Sequence, residues 1–278
     1  LWRKDDFQGV SPRFFTSSSP IVVDGLCIAE LGGPGNGAIV AYDLATGNEK
    51  WKWTGDSPAY GSPVLMTVSG TKVIISPTDK NMVAVAVADG KLLWQTNYTQ
   101  GRYNAATPIV DEQTLVYAGP GRGMTAVKIE KSGDGLAATE LWSNPEKSVI
   151  FNSPVLKNGL VYGLTQANEL FCVNVRNGQT GWAVPVGQAA GEAQPGGGGR
   201  GGRGMGSSAG YGSIVDAGTV LLALTPASEL IVFQPNEKTY TEVARIKVAT
   251  TPTYAYPVVA SNRVFIKDQD SVTLWTIE

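Results

Sequence analysis

The sequence predicts an all-β fold, a β-propeller of four-stranded antiparallel blades, with six repeats visible in 278 residues. Three observations carry this expectation. A Ser/Thr-Pro-aliphatic step recurs at Pro20, Pro63, Pro108 and Pro154, weakens to Ser213-Ile214, and returns as Tyr256-Pro257, giving spacings of 43, 45, 46, 60 and 43 residues. Apart from the one long interval, that period suits a four-stranded blade. Short β-rich runs broken by Asn, Gly and Asp follow each step, which is the pattern of hairpins. No stretch keeps the 3.6-residue apolar period of a helix.

Each repeat divides in the same way. Strand A is the aliphatic run after the Pro, and a Pro is tolerated there because the first residue of a strand need not donate to the ladder. Turns such as Asp24-Gly25 and Asn158-Gly159 lead to strand B, as in Lys72-Val73-Ile74-Ile75 and Leu160-Val161-Tyr162. Strand C follows in Glu169-Leu170-Phe171-Cys172-Val173 and Glu229-Leu230-Ile231-Val232-Phe233. Strand D ends on a Trp in most repeats, at Trp2, Trp51, Trp94, Trp142 and Trp182, and the fifth repeat replaces it with Val243-Ala244-Arg245-Ile246. The sixth repeat has no strand D, whereas the chain opens on Leu1-Trp2-Arg3, which reads as a lone strand D. Two arrangements fit: a closed six-bladed ring, or part of a seven- or eight-bladed ring lacking its N-terminal blades. The chain has no initiator Met and starts within a repeat, so the natural N-terminus is expected upstream.

One domain, 1–278, is therefore expected, interrupted by a Gly-rich insertion at 188–208. The insertion contains Gly-Arg-Gly-Gly-Arg-Gly and accounts for the 60-residue spacing. It is expected as a surface loop able to serve assembly. Two arginines in a chain of net charge -2 are too few for a nucleic-acid segment. No apolar run approaches the length of a membrane span. His is absent, which removes Ser-His-Asp and Cys-His chemistry and His-ligated zinc. Cys27 and Cys172 lie in apolar runs of different repeats and are expected as buried free thiols.

The unit Ala41-Tyr42-Asp43-Leu44-Ala45-Thr46-Gly47-Asn48-Glu49-Lys50-Trp51 resembles the pyrroloquinoline-quinone-like (PQQ-like) β-propeller repeat. Asn174, Asn177, Gly178 and Trp182 match it with Asn for Asp, and Asp89-Gly90 with Trp94 matches through a shortened turn. Such repeats are similar to those of quinoprotein dehydrogenase propellers and of the propeller lipoprotein of the outer-membrane Bam assembly machine. The resemblance implies that Trp2, Trp51, Trp94, Trp142 and Trp182 dock structurally against neighbouring blades. It also implies a periplasmic or extracellular bacterial protein.

Antiparallel strands put the D–A and B–C connections on one face and the A–B and C–D turns on the other. Three residues before the anchor lies an aromatic: Tyr60, Phe151, Tyr211 and Tyr254, with Tyr103 close to the same place. With Arg102, Asn104 and Asn152 these residues are the ligand-binding candidates, expected around one channel mouth. Arg13, Asp79, Arg122, Glu169, Glu229, Asp268 and Asp270 lie on loops of the same face. The acidic residues are scattered over separate loops, so no catalytic residue and no metal site are assigned. The expected function is a non-catalytic scaffold that binds a protein or peptide through this aromatic-lined face, with no cofactor. The alternative is a PQQ- and calcium-dependent alcohol or sugar dehydrogenase, which requires several oxygen ligands around the metal and a carboxylate base.

Overall fold

The computed structural model describes residues 1–98, 104–187 and 212–277. The chain divides into two compact units, Leu1–Ser148 with Val175–Gly178, and Val149–Asn174 with Gln179–Glu278. Every regular element among the described residues is a strand.

The first unit holds three four-stranded antiparallel sheets. Sheet one is β1 (Ile21–Val23), β2 (Leu26–Gly33), β3 (Asn36–Asp43) and β4 (Glu49–Trp53). Sheet two is β5 (Val64–Val68), β6 (Thr71–Pro77), β7 (Asn81–Ala86) and β8 (Leu92–Asn97). Sheet three is β9 (Ile109–Asp111), β10 (Thr114–Gly119), β11 (Gly123–Ser132) and β12 (Gly135–Asn144). The second unit continues with sheet four: β13 (Val155–Lys157), β14 (Leu160–Leu164), β15 (Glu169–Asn174) and β16 (Thr180–Pro185). Sheet five is β17 (Ser213–Asp216), β18 (Leu221–Leu224), β19 (Glu229–Gln234) and β20 (Thr241–Lys247). Sheet six has three strands, β21 (Val258–Ala260), β22 (Arg263–Lys267) and β23 (Val272–Thr276), as the missing strand D anticipates.

Strand order in every sheet follows chain order, so each sheet is an up-and-down meander closed by tight turns. Asp24 and Gly25 have φ of 49° and 75°, and Asn158 and Gly159 have 54° and 74°. Two successive positive φ values define the hairpin turn whose twist matches the flanking strands. The cores lie between consecutive sheets. Ile28, Ile39 and Ala41 of sheet one pack with Ile74, Val83 and Val85 of sheet two. In the second unit Tyr162, Cys172 and Trp182 pack with Ile214, Ala223 and Phe233. Cys172 is buried and Cys27 half-buried, both as free thiols.

The repeat motif has a physical explanation. Asp43 Oδ1 accepts hydrogen bonds from the backbone of Ala45 (3.1 Å) and Thr46 (2.9 Å) and from the Thr46 hydroxyl (2.9 Å). The Thr46 bonds, with Lys50 at 3.2 Å, hold this carboxyl down to about 2. Gly47 takes φ of 73°, and a side chain there would come within 2.5 Å of the Trp2 ring. Gly90 is likewise covered by Trp51 and Gly178 by Trp142, each leaving 2.5 Å for a Cβ. Each indole N–H then donates to a backbone carbonyl of the turn: Trp2 to Leu44 (2.9 Å), Trp51 to Val87 (2.8 Å), Trp142 to Val175 (2.8 Å) and Trp182 to Asn236 (2.7 Å). The Gly and the Trp of one motif thus serve two different contacts. Gly47 receives the preceding Trp, and Trp51 reaches the following turn.

The Ala that opens the motif lies opposite the Trp. The pairs are Ala41 with Trp51, Ala84 with Trp94, Ala126 with Trp142 and Cys172 with Trp182. A small residue leaves room for the indole on that face. Where the fifth repeat carries Ala244 instead of Trp, the partner grows to Val232. A register shift follows immediately after this pair in all five complete sheets.

Two expectations need adjustment. Leu1-Trp2-Arg3 is not a strand, because the described residues provide no ladder beside it, although Trp2 still docks as a fourth-strand Trp. Trp94 is half-buried and makes no indole-to-turn bond among the described residues. The long β11–β12 hairpin stands where the Thr-Gly turn would receive it.

Candidate functional site

In the first unit the loop entering β5 and the β6–β7 turn meet on one side, as antiparallel strands require. Asn104 is the strut between them. It is 3% exposed, its carbonyl accepts the N–H of Tyr60 (3.0 Å) and Gly61 (3.1 Å), and its amide donates to Thr78 O (2.6 Å) and Asp79 O (3.1 Å). Asp56 clamps the same turn by accepting from the Thr78 hydroxyl (2.7 Å), Lys80 N (3.0 Å) and Asn81 Nδ2 (2.9 Å). Burial pushes the Asp56 carboxyl up, and these bonds more than offset it, leaving it below the usual range.

Tyr60 supports a loop. Its hydroxyl accepts the Phe14 N–H (3.3 Å), its carbonyl accepts the Ser17 hydroxyl (2.9 Å), and its ring lies 6.2 Å from that of Phe14. Arg13 stacks over Phe14 at 5.5 Å. Phe14 and Phe15 face solvent, 47% and 74% exposed. They are exposed aromatics that periodicity misses, because they sit five and six residues before the anchor rather than at the repeated position. The signal was two adjacent Phe in a Ser/Thr-rich stretch.

The anchor hydroxyls form a relay that the repeat pattern alone does not reveal. Ser19 N donates to Ser62 Oγ (2.9 Å), and Ser62 N donates to Thr107 Oγ1 (3.0 Å). In the first unit the Ser/Thr before the Pro therefore joins successive A strands, through Ser19, Ser62 and Thr107.

In the second unit Asn152 is 1% exposed and donates to Leu164 O (3.0 Å), while its Oδ1 has no partner among the described residues. Phe151 is half-buried, and Tyr254 is exposed. Tyr256, at the sixth anchor, accepts the Ser153 N–H through its hydroxyl at 2.7 Å. Asp268 caps its own turn through Asp270 N (2.9 Å) and Ser271 N (2.6 Å), and Glu229 pairs with Arg245 (3.0 Å). Arg102, Tyr103, Tyr211 and the insertion 188–208 lie outside the described residues.

Glu30 stands apart. It is 4% exposed on β2, with Ser76 of β6 donating to Oε1 and, among the described residues, nothing bonded to Oε2. Burial holds this carboxyl well above its usual range, and the neighbouring Ser18 hydroxyl offsets only part of the shift.

The turn side is occupied differently. A cleft of about 680 Å³ between sheets one and two is lined by Asp24, Asp43, Lys50, Lys72 and Val87. Its charges pair with one another, Lys72 with Asp24 at 2.5 Å and Lys50 with Asp43 at 3.2 Å. A quinone–calcium centre would need several carboxylate or amide oxygens with free lone pairs converging on one point. The carboxylates of Asp43 and Asp268 are committed to their own turns and that of Asp56 to the β6–β7 turn, so these residues do not fit such a centre.

Meanders of four strands, an Asp-capped Thr-Gly turn and a Trp docked on the following turn define a PQQ-like β-propeller repeat protein. Residues 1–184 match the family model described as outer membrane protein assembly factor BamB, and the chain belongs to that family. A curated relative, the outer membrane protein assembly factor BamB of Moranella endobia (strain PCIT), is 28% identical over 180 residues, covering 60% of this chain. The match spans 43% of that relative's length. Among solved structures, the computationally designed Ika8 protein shares the fold with a TM-score of 0.62 at 12% identity, covering 94% of this chain and 70% of that one. A crystal structure of BamB from Moraxella catarrhalis aligns with a TM-score of 0.48 at 13% identity, covering 94% of this chain and 85% of that one.

Proposed function

We propose that this chain is a non-catalytic scaffold of the bacterial periplasm, binding a protein partner in outer-membrane protein assembly through the aromatic loops on its anchor side. One observation carries the reading. On that side, the buried Asn104 and the half-buried Asp56 hold loops in place, while Phe14 and Phe15 are presented to solvent. Rigid aromatics on a braced loop suit protein recognition, where large side chains with few rotors supply most of the binding energy. Family membership and the relative's printed role support the same direction.

The experiment is site-specific photo-crosslinking in a bacterial envelope. A photoreactive residue replaces Phe15 or Tyr254 on the anchor side, and Leu44 on the Thr-Gly turn side. Defined crosslinked species from Phe15 are expected, with none from Leu44. Crosslinks confined to Leu44 would overturn the reading. Titration with pyrroloquinoline quinone and calcium, followed by Trp fluorescence, is expected to give no saturable change. A calcium-dependent shift would return the dehydrogenase to first place.

A further inference from the structure

The turn Pro12–Phe15 has the attributes of a preformed recognition element. Pro12 is buried, and the Ser11 backbone lies so close to Gly33 that a Cβ at Gly33 would come within 2.5 Å of it. Phe15 N donates to Pro12 O at 2.9 Å, and Tyr60 holds the turn from below through Phe14 N and Ser17 Oγ. Phe15 adopts φ of 65°, a conformation uncommon for a bulky residue and maintained here by these bonds. The result is a ring held out at 74% exposure rather than folded back. A loop fixed in its bound shape loses little entropy on association.

The charge beside the two rings defines the partner. Arg13 stacks on Phe14, and among the described residues no carboxylate lies within ion-pair distance of it. A guanidinium on an aromatic face keeps its in-plane N–H donors free for a carboxylate. Resting on the scaffold reading above, we propose that Arg13, Phe14 and Phe15 together bind an extended acidic–apolar segment of a partner chain. In that mode a Glu or Asp carboxylate meets Arg13 while a flanking aliphatic or aromatic side chain covers Phe15.

The test uses the full chain and two fluorescein-labelled peptides. One carries Leu-Glu-Leu in a Gly-Ser background, and the other carries Lys in place of Glu. Anisotropy titrations at low salt are expected to show saturable binding of the Glu peptide at least tenfold tighter than the Lys peptide. Arg13→Ala is expected to weaken the Glu peptide at least fivefold, and Arg13→Lys to recover part of that loss. Phe15→Asn removes the ring yet tolerates positive φ, so it separates a lost contact from a distorted turn; at least a tenfold loss is expected, with the melting temperature unchanged. Equal binding of the two peptides, no saturable binding, or an Arg13→Ala variant that binds normally would each overturn the proposal. If photo-crosslinks from Phe15 persist unchanged in Arg13→Ala, the scaffold reading stands and the acidic-partner inference falls.

Discussion

Glu30→Gln isolates the energetic consequence of a carboxyl enclosed between two sheets. Glu30 is 4% exposed, accepts the Ser76 hydroxyl at Oε1, and has no hydrogen-bond partner at Oε2 among the described residues. Its folded-state pKa is raised well above 4.5 by burial. A raised carboxyl contributes stability that is fully present below about pH 4.5 and is lost as pH climbs through the folded value, because the unfolded chain releases the proton first. Across that window the folded state loses about 1.4 kcal/mol per pH unit relative to the unfolded state. Gln has nearly the same shape, accepts the same Ser76 bond and carries no proton to lose.

The assay is urea denaturation of wild type and Glu30→Gln from pH 4 to 8.5, with Trp fluorescence as the readout. The chain has no His, so few other groups change charge between pH 5 and 8. Near pH 4 the two proteins should unfold at similar urea concentrations. Above pH 5 the variant should become progressively more stable than wild type, the gap growing with the slope given above. Parallel curves from pH 5 to 8 would refute the reasoning, since they would mean that Glu30 titrates as if in water.

Two further outcomes follow from the same geometry. Trp51→Ala should cost about 3–5 kcal/mol by leaving a cavity between sheets one and two, whereas Trp51→Phe should cost about 1–3 kcal/mol by leaving the Val87 carbonyl unpaired; comparison of denaturation midpoints decides. Cys172 is buried, and burial pushes its thiol up to about 11, so thiol reagents at pH 8 should label it only on unfolding, at a rate that mass spectrometry of peptides can follow.

Much of the architecture was legible because propeller repeats encode it locally. Turn residues with positive φ, alternating strands and the spacing of the anchors each leave a mark in consecutive positions. That sheet six has three strands among the described residues was visible for the same reason. The contacts that join the repeats were less visible. Ser19 and Ser62 are 43 positions apart, and nothing in the local pattern says that one donates to the other. The Ala that opens the motif has its meaning only across the β3–β4 ladder, opposite Trp51. Glu30 did leave a trace, since it shares the inward parity of Ile28 on β2, where an apolar residue is the norm. Tyr60 is a ligand-binding candidate by position, and its hydroxyl, carbonyl and ring all support the Phe14 loop.

That last difference bears on function. A residue type enriched in binding sites can serve recognition directly, by touching the partner, or indirectly, by fixing the loop that does. Tyr60 and Asn104 brace this chain's own loops through hydrogen bonds to its backbone. Asp43, Asp56 and Asp268 show the same economy, the first and last closing their own turns and Asp56 clamping the β6–β7 turn. A catalytic face needs polar groups that are braced by others and still free toward the substrate. Here, in the first unit, bracing and polarity coincide in the same side chains, and the groups left facing solvent on the Pro12–Phe15 turn are two aromatic rings and a guanidinium. Such a distribution favours holding a partner over transforming a substrate.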